Sequence, residues 1–335
     1  MSSAHTSIEE DPCNPNYEGK FTTGWHVGAI FIQILVSFLG TAIPLWTKKK
    51  GGKYTKLILS LGRNFGNGVI LATAFCHMLI GATERFSSPC LPSFFQESYT
   101  AFAGVFCLLA ILTVQLVQYL AVAYTHKAQT DNSLQVEEDE PLIQGEKRKR
   151  HNSPYRSVAE DHDEHTHSVL LSSGTDRKIS TYMLELGIAT HSVIIGITLG
   201  MCRDDEFTAL CVALAFHQFF EGMALSSTVL SSGFRSLAQP IGVVIFYTLT
   251  TPLGVLIGIL ISSSHNPNSV TSLVTEGILD SFSAGILIYD GLVNMLNSNI
   301  THSASFHSLS VWARVGQFAA LWLGASVMAF IGAWA

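Results

Sequence analysis

The sequence predicts an all-α membrane protein with eight transmembrane helices in one bundle, and three observations carry this prediction. Hydrophobic residues make up 48% of the 335 residues and charged residues only 13%, about half of the roughly 25% that is usual in soluble proteins. The apolar residues fall into eight stretches that are each long enough to cross a bilayer. The basic residues lie almost entirely in alternate connections, which is typical of a multi-pass protein.

The predicted spans each contain about 20 mostly apolar residues, the length that a helix needs to cross the hydrocarbon core. They cover residues 24–46, 57–80, 101–125, 179–201, 207–230, 237–262, 271–296 and 310–334. Four regions follow from this division: a polar N-terminus (1–23), helices 1 to 3 (24–125), a polar loop (126–178) and helices 4 to 8 (179–335). The polar N-terminus has no basic start followed by a short apolar run, so we expect the first span to be an anchor and not a cleaved signal peptide.

Orientation follows from the distribution of positive charge. One side of the predicted topology holds 16 of the 19 Lys and Arg residues, and basic residues accumulate on the cytoplasmic side. Both termini are therefore expected outside and the long loop in the cytosol. The plasma membrane is the expected location, with an endosomal or other acidic-store membrane as the alternative. Cys13 and Cys90 share the outer side, and the sequence leaves open whether they form a disulfide.

Three ionisable residues lie near the centres of two neighbouring spans: His191 in the fourth, and His217 and Glu221 in the fifth. Residues four apart share a helix face, and an antiparallel fourth helix would bring His191 to a similar depth. Each charged group at that depth costs at least about 2.5–3.5 kcal/mol on insertion scales. A divalent cation compensates for this cost, because imidazole and carboxylate together suit Zn²⁺, Fe²⁺ or Mn²⁺. Ser192 and Gln218 are candidate secondary ligands.

Further ionisable residues indicate a route through the membrane. The candidate entrance residues on the outer side are His77, Glu84, Asp204, Asp205 and Glu206, and the candidate exit residues on the inner side are Glu185 and Asp290. An acidic mouth concentrates cations, and inner carboxylates would relay them onward. For the three consecutive acidic residues, a solvated turn is the alternative interpretation.

The predicted cytosolic loop contains a histidine-rich acidic tract. His162, His165 and His167 alternate there with acidic residues. Tracts of this composition bind metal weakly, and solvated disorder is the alternative. The polar composition of residues 126–178 predicts a disordered segment.

Several motifs resemble those of the ZIP family of divalent-metal transporters, in particular its plant and protist iron and zinc branch. They are "GVILATAFCHML" at 68–79, "HSVIIG" at 191–196, "HQFFEG" at 217–222, "TTPLG" at 250–254 and "SAGILIYDGLV" at 283–293. The resemblance implies an eight-helix ZIP-like bundle that imports metal and forms a homodimer. It also implies that spans 1, 4, 5 and 6 form a moving transport unit and that spans 2, 3, 7 and 8 form a scaffold. His191, His217 and Glu221 match the family's central metal site.

The sequence departs from the family pattern at four positions. Binuclear members have a glutamate where Ile195 stands, and acidic residues where Gln218 and Thr251 stand. A single metal site is therefore predicted. Relatives often have an acidic residue at the position of Gly81, so we expect the entrance to use Glu84 instead.

The predicted function is import of Zn²⁺ or Fe²⁺, with Mn²⁺ as a further candidate, by alternating access. The expected partners are divalent metal ions and the lipid bilayer, with no prosthetic group, no enzymatic activity and no nucleic acid.

An intramembrane metalloprotease would need a catalytic base and usually "HExxH", which is absent. A b-type haem protein would use His191 and His217 as axial ligands, and the carboxylate of Glu221 would then be an unfavourable neighbour of the haem. A proton-coupled carrier of an organic solute, using the same histidines and glutamate as a relay, is the main alternative. Metal affinity is expected to fall below about pH 6.5 as the histidines protonate.

Overall fold

The described part of the chain forms eight long helices, as the sequence predicts. In the computed structural model, the described residues are 13, 20–48, 52–138, 161–231, 236, 238–262, 266–301 and 303–332. Within these ranges the regular elements are all helical, and the described residues contain no strand. The predicted all-α fold class is confirmed.

The helices are numbered here in chain order. They are α1 (Thr23–Lys48), α2 (Lys53–Ala72, continued by a π-helical turn at Thr73–Met78 and by Leu79–Phe86), α3 (Phe102–Glu138), α4 (Asp161–Met201), α5 (Asp204–Ser231), α6 (Ala238–Ile261), α7 (Val270–Tyr289, continued by a π-helical segment at Asp290–Thr301) and α8 (Val311–Ile331). Two short helical segments, Phe94–Ser98 and Ala304–His307, lie in the connections. Eight stretches within these helices are long and apolar enough to cross a membrane, so the number of predicted spans is confirmed.

The structure differs from the sequence-based expectation in the long loop. α3 continues to Glu138 and α4 begins at Asp161, so the described parts of residues 126–178 are helical. Residues 126–138 contain neither glycine nor proline, so nothing in their composition stops the helix from continuing out of the membrane. Residues 139–160 and the side chains of the histidine-rich tract lie outside the described residues. The proposed loop histidines therefore stay a prediction.

Pairwise packing divides the eight helices into two groups. In the first group, α4 packs along α6, and α1 packs along both α5 and α6. In the second group, α2 packs along α8, and α3 packs along α7. Contacts of α2 with α5 and of α4 with α7 join the groups, and a buried apolar cluster containing Ile70, Leu184, Leu225 and Leu287 lies between them. This division coincides with the transport unit and scaffold that the family resemblance implies.

The crossing of α4 and α6 depends on glycines. Gly196 and Gly200 of α4 face Gly254 and Gly258 of α6, and a Cβ added to Gly196 would lie 2.5 Å from the carbonyl oxygen of Thr251. Helices in a membrane associate mainly by close packing, and small residues let their backbones approach. The glycines therefore hold the helix that carries His191 directly against α6.

A disulfide between Cys13 and Cys90 ties the segment before α1 to the connection after α2. The sequence left this bridge open, and the structure forms it. We call the end of the bundle that carries the disulfide the outer end, following the predicted topology. α5 begins at this end with Asp204, Asp205 and Glu206, whose negative charges stabilise the N-terminus of the helix.

Candidate metal site

Three histidines from three helices meet inside the bundle. α4 supplies His191, α5 supplies His217, and the π-helical turn of α2 supplies His77. The imidazole centroids of His191 and His217 are 6.1 Å apart, and that of His77 lies 5.6 Å from His191 and 6.2 Å from His217. Glu221 follows His217 by one helical turn, and both residues are fully buried. The structure thus brings the predicted central residues together and adds His77, which the sequence had suggested only for the entrance.

The polar atoms of this central cluster have no hydrogen-bond partner among the described residues. They include both ring nitrogens of His191 and His217, both carboxylate oxygens of Glu221, the hydroxyl of Ser192 and the side-chain amide of Gln218. A buried polar group without a partner typically costs about 1–3 kcal/mol. Helix packing alone gives no compensation for so many such atoms in one place. A bound cation would compensate, because nitrogen and oxygen atoms would coordinate it.

The cluster is wider than a closed metal site. Among the residues that the structure describes, no three His, Cys, Asp or Glu side chains are already arranged as ligands around one ion. Two imidazoles bonded to one Zn²⁺ at about 2.0–2.1 Å have ring centroids roughly 5 Å apart. The centroid distance of 6.1 Å between His191 and His217 is about 1 Å greater. Small side-chain rotations would close this difference.

A cavity of about 650 Å³ connects the outer end of the bundle with His191. Glu84 and His77, two of the predicted entrance residues, line it. The lining described for this cavity does not include Asp204, Asp205 or Glu206. The carboxylate of Asp204 instead accepts hydrogen bonds from the backbone N–H of Thr22 at 2.9 Å and from its hydroxyl at 2.6 Å. The first acidic residue of α5 therefore fixes the start of α1.

Three charged residues of the cavity region were missing from the sequence-based prediction: Arg85, Glu276 and Asp280. Asp280 is 4% exposed, and its Oδ1 lies 3.7 Å from Nδ1 of His191. Arg85 contacts Oδ2 of the same carboxylate at 2.9 Å and also donates to Glu276 at 3.0 Å. The spacing of Glu276 and Asp280 could have identified them as site residues, because two acidic residues four apart in an apolar span share one helix face.

The two predicted exit residues lie in different surroundings. Glu185 is half-buried and lines a separate pocket of about 430 Å³, together with Tyr182, Gln239 and other residues of α4 and α6. Asp290 is fully buried at the start of the π-helical segment of α7, where its carboxylate accepts a hydrogen bond from the amide of Asn294. Their participation in metal release stays a prediction.

Comparison with known proteins gives a consistent result over nearly the whole chain. The family profile described as "ZIP Zinc transporter" matches residues 23–332. "Zinc transporter 3" of Oryza sativa subsp. japonica is 36% identical over 284 residues, which cover 81% of this chain and 77% of that protein. "Zinc transporter 9" of Arabidopsis thaliana is 32% identical and covers 90% of this chain and 97% of its own length. "Fe(2+) transport protein 3, chloroplastic" of Arabidopsis thaliana is 31% identical, with 92% and 84% covered.

Proposed function

Since the chain belongs to the ZIP family and is a divalent-metal transporter, we propose that it carries Zn²⁺ or Fe²⁺ into the cytosol through one site formed by His191, His217 and Glu221. The observation that supports this site is the set of buried nitrogen and oxygen atoms that lack partners among the described residues. Family membership makes the chain a transporter and not an enzyme, with the metal as cargo. Nothing in the comparisons supports an organic solute as its substrate.

Entry of the ion would proceed through the outer cavity. A partly dehydrated cation would pass Glu84, contact His77 and then reach His191 at the inner part of the cavity. The positive charge of the ion would compensate for burial of the Glu221 carboxylate, and imidazole nitrogens would replace lost water molecules. Three protein ligands leave a coordination position for water, which keeps the ion exchangeable.

One ion is proposed to bind at a time. Ile195, at the position where binuclear relatives have a glutamate, is buried in an apolar cluster with Leu199 and Val255. Gln218 and Thr251 are uncharged. A second buried cation would need further negative charge, and these three positions supply none.

Release toward the cytosol would require the transport unit (α1, α4, α5 and α6) to shift against the scaffold (α2, α3, α7 and α8). Small residues lie where the two groups meet. A Cβ added to Gly187 of α4 would lie 3.1 Å from Ile286 of α7, and one added to Gly66 of α2 would lie 2.7 Å from the Cβ of Ala224 in α5. Smooth apolar contacts of this kind permit sliding, because few hydrogen bonds have to break. Glu185 and Asp290 are the proposed acceptors after the shift.

The membrane arrangement is part of the proposal. Both termini are expected outside, and the disulfide between Cys13 and Cys90 supports an outer position for these segments, because disulfides persist in oxidising compartments. The expected membrane is the plasma membrane, with an acidic-store membrane as the alternative. The scaffold is expected to form a homodimer, and α8 and α3 have the smallest buried shares of the eight spans, 17% and 28%. Cross-linking of the protein in native membranes, together with protease accessibility of an N-terminal tag, tests both expectations.

The central test is uptake of ⁶⁵Zn and ⁵⁵Fe(II) into proteoliposomes that contain the wild type or His217→Ala. We expect saturable uptake by the wild type and its loss in the variant, because the substitution removes a central ligand. His307→Ala is the matched control, since His307 is exposed and its ring contacts the carbonyl oxygen of Thr301 at 2.9 Å, away from the cluster. Normal uptake by correctly folded His217→Ala would show that the site is assigned to the wrong residues.

A further inference from the structure

The cavity that leads to the central cluster contains a positive charge of its own. Nη1 of Arg85 lies 2.9 Å from Oδ2 of Asp280, and Nε lies 3.0 Å from Oε2 of Glu276. The side chains of Arg85, Glu276 and Asp280 are only 25%, 24% and 5% exposed. Salt screens partly buried charges much less than exposed ones. A metal ion that enters the cavity therefore meets the carboxylate of Asp280 already paired with the guanidinium of Arg85, which also holds Glu276 behind it.

Asp280 connects this ion pair to the central cluster. While Oδ2 contacts Arg85, Oδ1 faces Nδ1 of His191 at 3.7 Å and has no hydrogen-bond partner among the described residues. The ring of His77 lies 5.6 Å from that of His191. Asp280 and His77 thus lie next to His191, on the cavity side of the proposed central site.

Gly81 makes room for the guanidinium. A Cβ added to Gly81 would lie 3.1 Å from Nη1 of Arg85, which is closer than ordinary contact. Arg85 follows Gly81 by four residues, so both lie on the same face of α2. A side chain at position 81 would require the guanidinium to shift by a few tenths of an ångström, and the glycine keeps its present position open.

We propose that Arg85 is an internal competitor of the transported ion: it holds Glu276 and Asp280 until a divalent cation displaces it, and it thereby sets how tightly the outer cavity binds metal. This inference rests on the proposed transport function. The three side chains together carry a charge of −1, whereas the two carboxylates alone carry −2. Together with His77, which lines the same cavity as Asp280, these carboxylates offer nitrogen and oxygen ligands of the kind that Zn²⁺ or Fe²⁺ accepts. Arginine suits the role because its planar guanidinium remains charged and binds two carboxylates at once.

The first test measures Zn²⁺ binding to the purified full-length protein by equilibrium dialysis. Arg85→Gln should bind one Zn²⁺ more than the wild type, or bind Zn²⁺ with a Kd at least tenfold lower. Arg203→Gln is the matched control, because it removes the same charge near the same end of the bundle, where Arg203 lies over the ring of Phe21 at 5.7 Å and not in the cavity lining. Wild-type stoichiometry and Kd in folded Arg85→Gln would overturn the proposal, and so would an equal effect of Arg203→Gln.

The second test does not depend on Arg85→Gln alone. Asp280→Asn keeps the shape of the side chain but leaves Arg85 with one carboxylate, which changes the local charge from −1 to 0. The KM for ⁶⁵Zn uptake should rise at least fivefold. Addition of Arg85→Gln to this variant restores −1 and should lower the KM again by at least threefold. Equal KM values for the single and double variants would contradict competition by Arg85.

The two proposals fail in different ways. Absence of saturable uptake in the wild type would contradict the proposed transport route itself. Normal wild-type uptake that His217→Ala abolishes, combined with no effect of Arg85→Gln on Zn²⁺ binding, would contradict only the role of Arg85.

Discussion

Replacement of Gly196 by alanine is expected to push α4 away from α6 and to destabilise the transport unit. The added Cβ would lie 2.5 Å from the carbonyl oxygen of Thr251 and 3.1 Å from the Cα of Gly254. Ordinary contact begins at 3.4 Å, and both neighbouring atoms belong to the backbone, so the helices must separate by about 0.9 Å. Overpacking of this kind typically costs about 1–3 kcal/mol. We therefore expect a lower midpoint of thermal denaturation.

Gly242 of α6 provides the matched control, because a Cβ added there meets no atom within 4 Å. Alanine is favoured over glycine inside a helix by about 1 kcal/mol, so Gly242→Ala should keep or raise the stability. Thermal denaturation of each purified variant in detergent, followed by loss of the monodisperse peak in size-exclusion chromatography, measures the difference. A shift of about 2–4 °C per kcal/mol is typical of chains of 150–250 residues. Equal midpoints for Gly196→Ala and Gly242→Ala would refute the argument that backbone contact limits this crossing.

Three further outcomes are expected. Tyr247→Phe should lower the stability by about 0.5–1.5 kcal/mol, because it removes the hydroxyl that donates a hydrogen bond to the buried carbonyl of Gln218; an unchanged denaturation midpoint would contradict this. Cys76, which is exposed in the cavity lining, should react with a membrane-impermeant cationic methanethiosulfonate added to the outer face, and saturating Zn²⁺ should slow the reaction. Burial, assisted by the charge of Glu206, raises the pKa of the Cys202 thiol to about 12. At pH 8 this thiol should contain about a thousandfold less thiolate than with its ordinary pKa, so maleimide should leave Cys202 unlabelled at pH 8 and react only in strongly alkaline solution.

The transmembrane helices could be predicted from the sequence because hydrocarbon imposes both their length and their composition. The end of the second span shows where this reasoning stops. The apolar pattern placed it at residue 80, since Glu84 and Arg85 count against a membrane span, whereas α2 continues to Phe86. In the folded protein, both charged residues line a cavity. Hydropathy alone does not distinguish a charge that faces lipid from one that faces a cavity.

The central site was partly predictable for a similar reason. The spacing of His217 and Glu221 places both on one helix face in any α-helix. The partners of Asp204 and Asp280 depend instead on which helix faces meet in three dimensions. Asp204 binds Thr22, which lies 182 residues away, and Asp280 binds Arg85 on another helix. The sequence therefore indicated Asp204 as an outer residue but missed Asp280, and it identified the partner of neither carboxylate.

The π-helical turn at Thr73–Met78 divides α2 into two halves that are out of phase with each other. A π-helical turn takes up one residue more than an α-helical turn, and each residue advances the chain by about 100° around the axis. The outer half, with Glu84 and Arg85, is therefore rotated by about 100° relative to an uninterrupted helix. Deletion of one residue between 73 and 78 would turn these charges out of the cavity, whereas a substitution there would leave their direction intact. The side of the helix on which Glu84 and Arg85 lie is thus determined by the number of residues in this turn rather than by their chemical identity.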